Sequence, residues 1–160
     1  MEKIDFMVTM INIQEEAVGT RILDLQRSAY AVEARLIGCG DFPPLREMLD
    51  DLRHCTDCFL VFVEKGEIVG CLSYERAGGI FTITRLVVSP RHFRRGIASA
   101  LLRDLESRLS PGSVICASTA DLNEPAIRAY EKQGYKTEAG PVSQGIALRR
   151  VRKQVGGGLD

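Results

Sequence analysis

Arg91, His92, Arg94 and Arg95 crowd the few residues ahead of Gly96-Ile97-Ala98-Ser99. Upstream, Leu86-Val87-Val88 reads as the end of a buried strand. Ser89-Pro90 stops it, because proline brings no N–H to a sheet. Downstream, Ile97, Ala98, Leu101, Leu102, Leu105 and Leu109 recur at helical spacing on one face. A strand, a basic turn and a helix that opens on small residues make a place for an anion. The first-turn N–H groups of a helix lack internal acceptors, and the dipole favours negative charge there. Gly96 and Ala98 lack bulk, so a pyrophosphate can come close to the backbone. Arg91, His92, Arg94 and Arg95 surround it with donors. The competing reading is an ordinary strand–turn–helix with a solvated basic turn. The chain has no GxxxxGK[ST], and no GxGxxG follows a strand, so neither standard nucleotide loop applies.

A second cluster lies further on. Asn123 and Tyr130 are two helical turns apart and share a face, with Ala126 between them leaving room for a ligand. Asn123 is a good N-cap, and its amide can also meet a ligand amide or carbonyl. Tyr130 offers a phenol that can give up a proton; packing between helix and sheet is the alternative.

The elements that must position these groups follow from periodicity and punctuation. Lys3 to Ile13 reads as a strand. Val18, Ile22, Leu25, Ala29 and Val32 make Gln14 to Gly38 an amphipathic helix, and a second helix runs from about Pro44 to His54. Phe59–Val63 and Ile68–Tyr74 form a hairpin about Lys65-Gly66-Glu67, with Cys58 expected to point into the core. Gly78-Gly79 turns the chain into the strand Ile80–Val88. After the helix Ala98–Leu109 come a short buried strand from Val114, the helix from Asn123 to Gln133, a strand from Tyr135, a turn at Gly140-Pro141 and a last strand Gly145–Val151. The order β-α-α-β-β-β-α-β-α-β-β predicts an α/β (α+β mixed) three-layer fold: about seven strands in a mixed, mostly antiparallel sheet flanked by four helices.

The 160 residues suit one domain. Lys+Arg and Asp+Glu both number 21, so the chain lacks the basic excess of a general nucleic-acid binder. Apolar runs fall short of the ~18 residues that suggest a membrane span, and MEKIDF lacks a signal-peptide core. A soluble cytoplasmic protein with no nucleic-acid or membrane partner is the expectation. Five cysteines at irregular spacing do not suggest a disulfide framework. Cys55 and Cys58 have CxxC form, but a zinc site needs further ligands at suitable spacing, so no metal is expected.

Phe93-Arg94-Arg95-Gly96-Ile97-Ala98 resembles the acyl-CoA loop of the GNAT superfamily of N-acetyltransferases, [QR]-x-x-G-x-[GA]. Phe93 departs from the Gln or Arg usual at the first position. Asn123, Ala126 and Tyr130, followed by Gly134-Tyr135, resemble the family's N-x-x-A-x-x-x-Y and GF or GY turn. The element order is also similar, from about Ile4 to Lys153. With no repeat or linker along the chain, residues 1–153 are expected to be a single domain of this family, and Gly156-Gly157-Gly158 make 154–160 a flexible tail. It implies acetyl-CoA as co-substrate, in a V-shaped opening between the strand ending at Val88 and the strand Val114–Ser118. The pantetheine arm would pair with Leu86, Val87 and Val88, and contact Asn123 and Tyr130. The pyrophosphate would meet the N–H groups of Arg94, Arg95, Gly96, Ile97, Ala98 and Ser99.

The implied activity is transfer of an acetyl group to a primary amine of a small molecule or peptide, by direct attack in a ternary complex. Tyr130 would protonate the departing thiolate. Cys116, inside an apolar strand, is not expected to act as a nucleophile. No base is identified: Ile80–Val88 and Val114–Thr119 carry no carboxylate. Glu33, Glu75 and Asp121 are candidates by chain order, as is a water relay from Thr84 or Ser118. The acceptor groove would involve Tyr30, Glu33, Arg35, Asp41 and Phe42. The rival is a non-catalytic acyl-CoA-binding or sensing domain. A homodimer through the last strand is left open.

Overall fold

The computed structural model describes residues 5–156. Strand β1 (Phe6–Ile11) leads into helix α1 (Glu16–Ile37), a 3-10 turn (Pro43–Arg46) and helix α2 (Leu49–His54). Strands β2 (Cys58–Glu64), β3 (Glu67–Ala77) and β4 (Ile80–Val88) follow. Helix α3 (Ile97–Ser107), β5 (Val114–Ala120), α4 (Glu124–Lys132), β6 (Lys136–Ser143) and β7 (Ile146–Gln154) complete the order. The strands form one sheet, β1-β2-β3-β4-β5-β7-β6. Every neighbouring pair is antiparallel except β4–β5.

The apolar run of β2 is continuous because both faces of the sheet are covered. Phe59 and Val61 join the cluster under α1 and α2, with Ile22, Leu25 and Leu52. Leu60 and Phe62 join the cluster on the other face, with Leu101, Leu102, Leu105 and Tyr130 of α3 and α4. The result is the expected three-layer α/β fold. Gly70 lets β3 and α3 approach: a Cβ there would lie 2.6 Å from Ile97 Cγ2.

Several local expectations are corrected. The segment from Pro44 to His54 is not one helix. Glu47 takes extended backbone (φ −61°, ψ 131°), and α2 restarts where the Asp51 carboxylate accepts the Met48 N–H at 3.1 Å. Gly140-Pro141 does not turn the chain: β6 passes through it with an irregularity between Ala139 and Val142. A bulge is where a strand accommodates a proline without an N–H. The turn lies at Gln144-Gly145, both with positive φ.

The last strand is interior, paired with β5 on one side and β6 on the other, so its backbone is not free to pair across a dimer; β1 and β6 are the outer strands. Within the expected tail, Gln154 ends β7. Val155 is buried and exchanges backbone hydrogen bonds with Gly112 and Ser113. Residues 157–160 and the first residues of the expected first strand, Lys3 and Ile4, lie outside the described residues. Cys58 is exposed, because β2 becomes buried only from Phe59 onward. Among the described residues no helix is long and apolar enough to cross a membrane.

Candidate active site

The parallel pair β4–β5 lasts for three residues, Ile80–Thr82 against Val114–Cys116. Beyond it β4 continues to Val88 and β5 to Ala120 without pairing, which opens the V between them. On its other side β4 pairs with β3, and the register jumps from Ser73↔Arg85 to Tyr74↔Ile83. Thr84 is therefore an extra residue, a bulge that re-aims the strand beside the opening.

A cleft of about 460 Å³ runs along this opening. Leu86, Val87 and Val88 form one wall; Arg94, Gly96, Ile97, Ala98 and Ser99 close one end, and Asn123 and Ala126 line the side of α4. Gly96 is the N-cap of α3, left-handed at φ +78°, and no side chain caps that helix. The first-turn donors are left for a ligand. Arg94 is also left-handed, at φ +66°, a conformation that costs a residue with a Cβ about 1–2 kcal/mol. Arg95 reaches away: its guanidinium lies 3.4 Å from Glu64, which His92 Nε2 also approaches at 3.4 Å. Only the backbone of Arg95 is then available to the loop. Phe93, at the departing motif position, is exposed and lines the cleft.

A second cavity, of about 280 Å³, lies on the other side of the opening. Tyr30, Phe42, Pro43, Pro44, Thr84, Arg85, Ser118, Gln144 and Tyr130 are among its walls. Arg46 Nη2 donates to Gln144 Oε1 at 3.3 Å, tying the 3-10 turn to the β6–β7 turn above this cavity. Four residues line both cavities: Glu33, Leu86, Asn123 and Ala126. The cavities therefore meet at these residues.

Asn123 caps α4, its Oδ1 accepting the Ala126 N–H at 3.2 Å. That leaves its NH₂ group for a partner. Glu33 is half-buried; burial raises its carboxyl pKa, and the neighbouring Asn123 side chain partly offsets the rise. Tyr130 is 3% exposed, edge-on to Tyr135 at 5.2 Å between ring centroids. Burial first, then the nearby Glu33 carboxylate, raise its phenol pKa, so it remains a proton donor across the physiological range. It lines the smaller cavity rather than the larger one.

Arg85 sits under the smaller cavity in a polar cluster. It meets Glu47 Oε2 at 2.5 Å and Asp57 Oδ2 at 3.0 Å, and donates to Ser73 Oγ at 3.1 Å. Thr84 Oγ1 is 2.8 Å from Ser73 Oγ and also donates to Asp57. Gln26 Nε2 donates to Glu47 Oε1 at 2.7 Å.

The sequence candidates are thus sorted by position. Glu33, Tyr30, Phe42, Thr84 and Ser118 line the smaller cavity. Glu75 is exposed on β3, and Asp121 is held by Arg149 at 2.9 Å; neither lines either cavity. Arg35 and Asp41 do not line them either. Cys116 Sγ is 3.4 Å from Thr82 Oγ1, where the strands still pair. Sequence reasoning missed Glu47 and Asp57, which no motif marks. It also missed Arg128 and Lys132 on the larger cleft, whose i,i+4 spacing on the Asn123 helix was a readable signal.

Solved structures share this architecture. The PaiA N-acetyltransferase of Thermoplasma acidophilum, in complex with coenzyme A, superposes with a TM-score of 0.73 at 13% identity, over 91% of this chain and 97% of that one. An aminoglycoside 6'-N-acetyltransferase complexed with coenzyme A gives 0.71 at 18% identity, over 93% and 97%. The ribosomal-protein-S18-alanine N-acetyltransferase of Escherichia coli gives 0.70 at 16%, over 94% of each. The fold is that of acetyltransferases. The chain belongs to the Acetyltransferase (GNAT) family, whose model matches residues 20–135. It is also 33% identical over 143 residues to the UPF0157 protein YqkA of Bacillus subtilis, a match covering 89% of this chain and 42% of that protein. The chain thus spans less than half the length of that relative.

Proposed function

We propose that the protein transfers an acetyl group from acetyl-CoA to a primary amine of a small molecule or peptide, by direct attack in a ternary complex. The observation that carries this reading is the confluence of two cavities at Glu33, Leu86, Asn123 and Ala126. One has uncapped helix donors at its end, suited to a pyrophosphate. The other is separate, polar in part and open to an acceptor. A sensor of acyl-CoA needs the first cavity and has no use for the second, which favours the enzyme over a binding domain.

In this reading the unpaired edge of β4 at Leu86–Val88 takes the pantetheine arm as a strand takes a partner, and the N–H groups from Arg94 to Ser99 hold the pyrophosphate. The Asn123 NH₂ and the Tyr130 hydroxyl flank the thioester. Tyr130 supplies the proton to the leaving sulfur. A phenol serves a thiolate of ordinary pKa ~8.5 when the proton moves along a formed hydrogen bond.

The test is calorimetric titration of acetyl-CoA into the protein and its Gly96→Glu variant, followed by thiol release with a panel of amines. Glutamate at a left-handed position puts strain and negative charge where the anion sits. Binding by the parent, weakened about tenfold or more in the variant, and thiol release with at least one amine are expected. Absence of acetyl-CoA binding to the parent would overturn the proposal; binding without transfer to any acceptor would favour the sensor.

A further inference from the structure

We infer that Glu33 is the base that takes the proton from the attacking ammonium group. The inference rests on the acyltransferase reading above and adds the residue that the sequence left unassigned.

Position comes first. Among the described residues Glu33 is the one carboxylate that lines either cavity, and it lines both. An acceptor entering through the smaller cavity reaches a thioester in the larger one only where the two meet. Leu86 and Ala126 at this junction carry no proton acceptor on their side chains, and an amide such as Asn123 is not a base at neutral pH.

Other titratable groups are excluded by chemistry or place. Tyr30 and Tyr130, in the smaller cavity, are buried phenols held protonated. Arg85 is a cation already engaged by two carboxylates. His92 belongs to the other end of the larger cleft, beside Glu64, and Arg94, Arg128 and Lys132 are cations. Glu33 is also poised: burial raises its pKa towards the working range of a base, while the neighbouring Asn123 side chain favours the ionised form that accepts the proton.

The protons balance as follows. Glu33 takes one proton from R–NH₃⁺, directly or through one water. The freed nitrogen lone pair forms the C–N bond at the carbonyl carbon. The C–S bond breaks, and sulfur leaves with its electron pair and receives the Tyr130 proton. The second proton of the new amide nitrogen restores Tyr130, and Glu33 releases its proton to solvent. The sum is R–NH₃⁺ plus thioester giving amide, thiol and one H⁺.

The experiment compares the full chain with its Glu33→Gln variant on two nucleophiles. One is an alkylamine accepted by the parent, which arrives charged at pH 7; the other is hydroxylamine, which is already neutral there. Acetyl-CoA affinity is measured alongside. The expected result is a loss of about 100-fold or more in kcat with the alkylamine, less than about tenfold with hydroxylamine, and unchanged acetyl-CoA affinity. Unchanged alkylamine turnover overturns the assignment. So does an equal loss with both nucleophiles, which would make Glu33 a support for Asn123. A parent that binds acetyl-CoA yet accepts no alkylamine of the panel and does not transfer to hydroxylamine overturns the acyltransferase reading itself, and the assignment with it.

Discussion

Arg85 Nη2 lies 2.5 Å from Glu47 Oε2, joining the middle of the sheet to the segment between the 3-10 turn and α2. Glu47 is the residue whose extended backbone interrupts the helix expected there. The pair thus explains a departure of the chain from its local preference: the side chain is spent on a charge across the sheet.

Removing that guanidinium leaves Glu47 and Asp57 without their shared cation in a site where the Arg85 side chain is only 10% exposed. Arg85→Ala is expected to lower stability by about 3–5 kcal/mol, the range for breaking a buried ion pair from one side. Urea unfolding with an unchanged m-value checks it. A loss within 1 kcal/mol of the parent would mean that water replaces the guanidinium.

Tyr130→Phe keeps the ring that packs against Tyr135 and removes only the hydroxyl. Turnover should fall by about 10²-fold or more, while acetyl-CoA affinity stays within about twofold. Equal turnover in variant and parent would remove Tyr130 as the acid.

Gly70→Ala places a methyl 2.6 Å from Ile97 Cγ2, so the Ile97 side chain or the start of α3 must shift. The cost should be about 1–3 kcal/mol. Since Ile97 opens the helix that ends the larger cleft, acetyl-CoA binding should weaken as well. Pairing the change with Ile97→Ala should give a loss smaller than the sum of the singles. Strict additivity in a double-mutant cycle would contradict the packing argument.

Glu33→Gln has a stability consequence separate from catalysis. The folded protein holds the Glu33 proton more tightly than the unfolded chain does, because burial raises the pKa. Its contribution to stability is therefore fully present below the ordinary carboxyl value and is lost as pH rises through the raised one. The variant should melt at a higher temperature than the parent near neutrality, and the two should converge in acid. Melting curves from pH 3 to 8 decide this; a variant less stable than the parent at pH 7 would show that the Asn123 contact outweighs burial.

The elements nearest the cleft were legible because their residues carry punctuation as well as pattern. Ile80–Val88 ends at Ser89-Pro90, and Asn123 caps its helix in the sequence and in the structure. Local reading failed where long-range contacts decide. The Pro44–His54 helix breaks because Glu47 answers to Arg85, 38 residues away, and Gly140-Pro141 stays in a strand because β7 pairs on either side of it. The junction of the cavities was legible only in part. Asn123 and Ala126 belong to a motif, but Glu33 lies in a long helix among other charged residues. Only the packing of that helix over the opening separates it from Glu75 and Asp121.

The three-residue seam between β4 and β5 has a mechanical meaning. It divides the sheet into two plates, β1-β2-β3-β4 and β5-β7-β6, stitched side by side at Ile80–Thr82 and Val114–Cys116. Past that stitch, among the described residues, the facing backbone edges do not pair with each other across the gap. A molecule that fills the gap and bonds to an edge braces the plates as a wedge braces a split board. The proposed co-substrate would then be a structural member of the folded protein, and its arrival would set how stiffly the two plates are held when an acceptor enters.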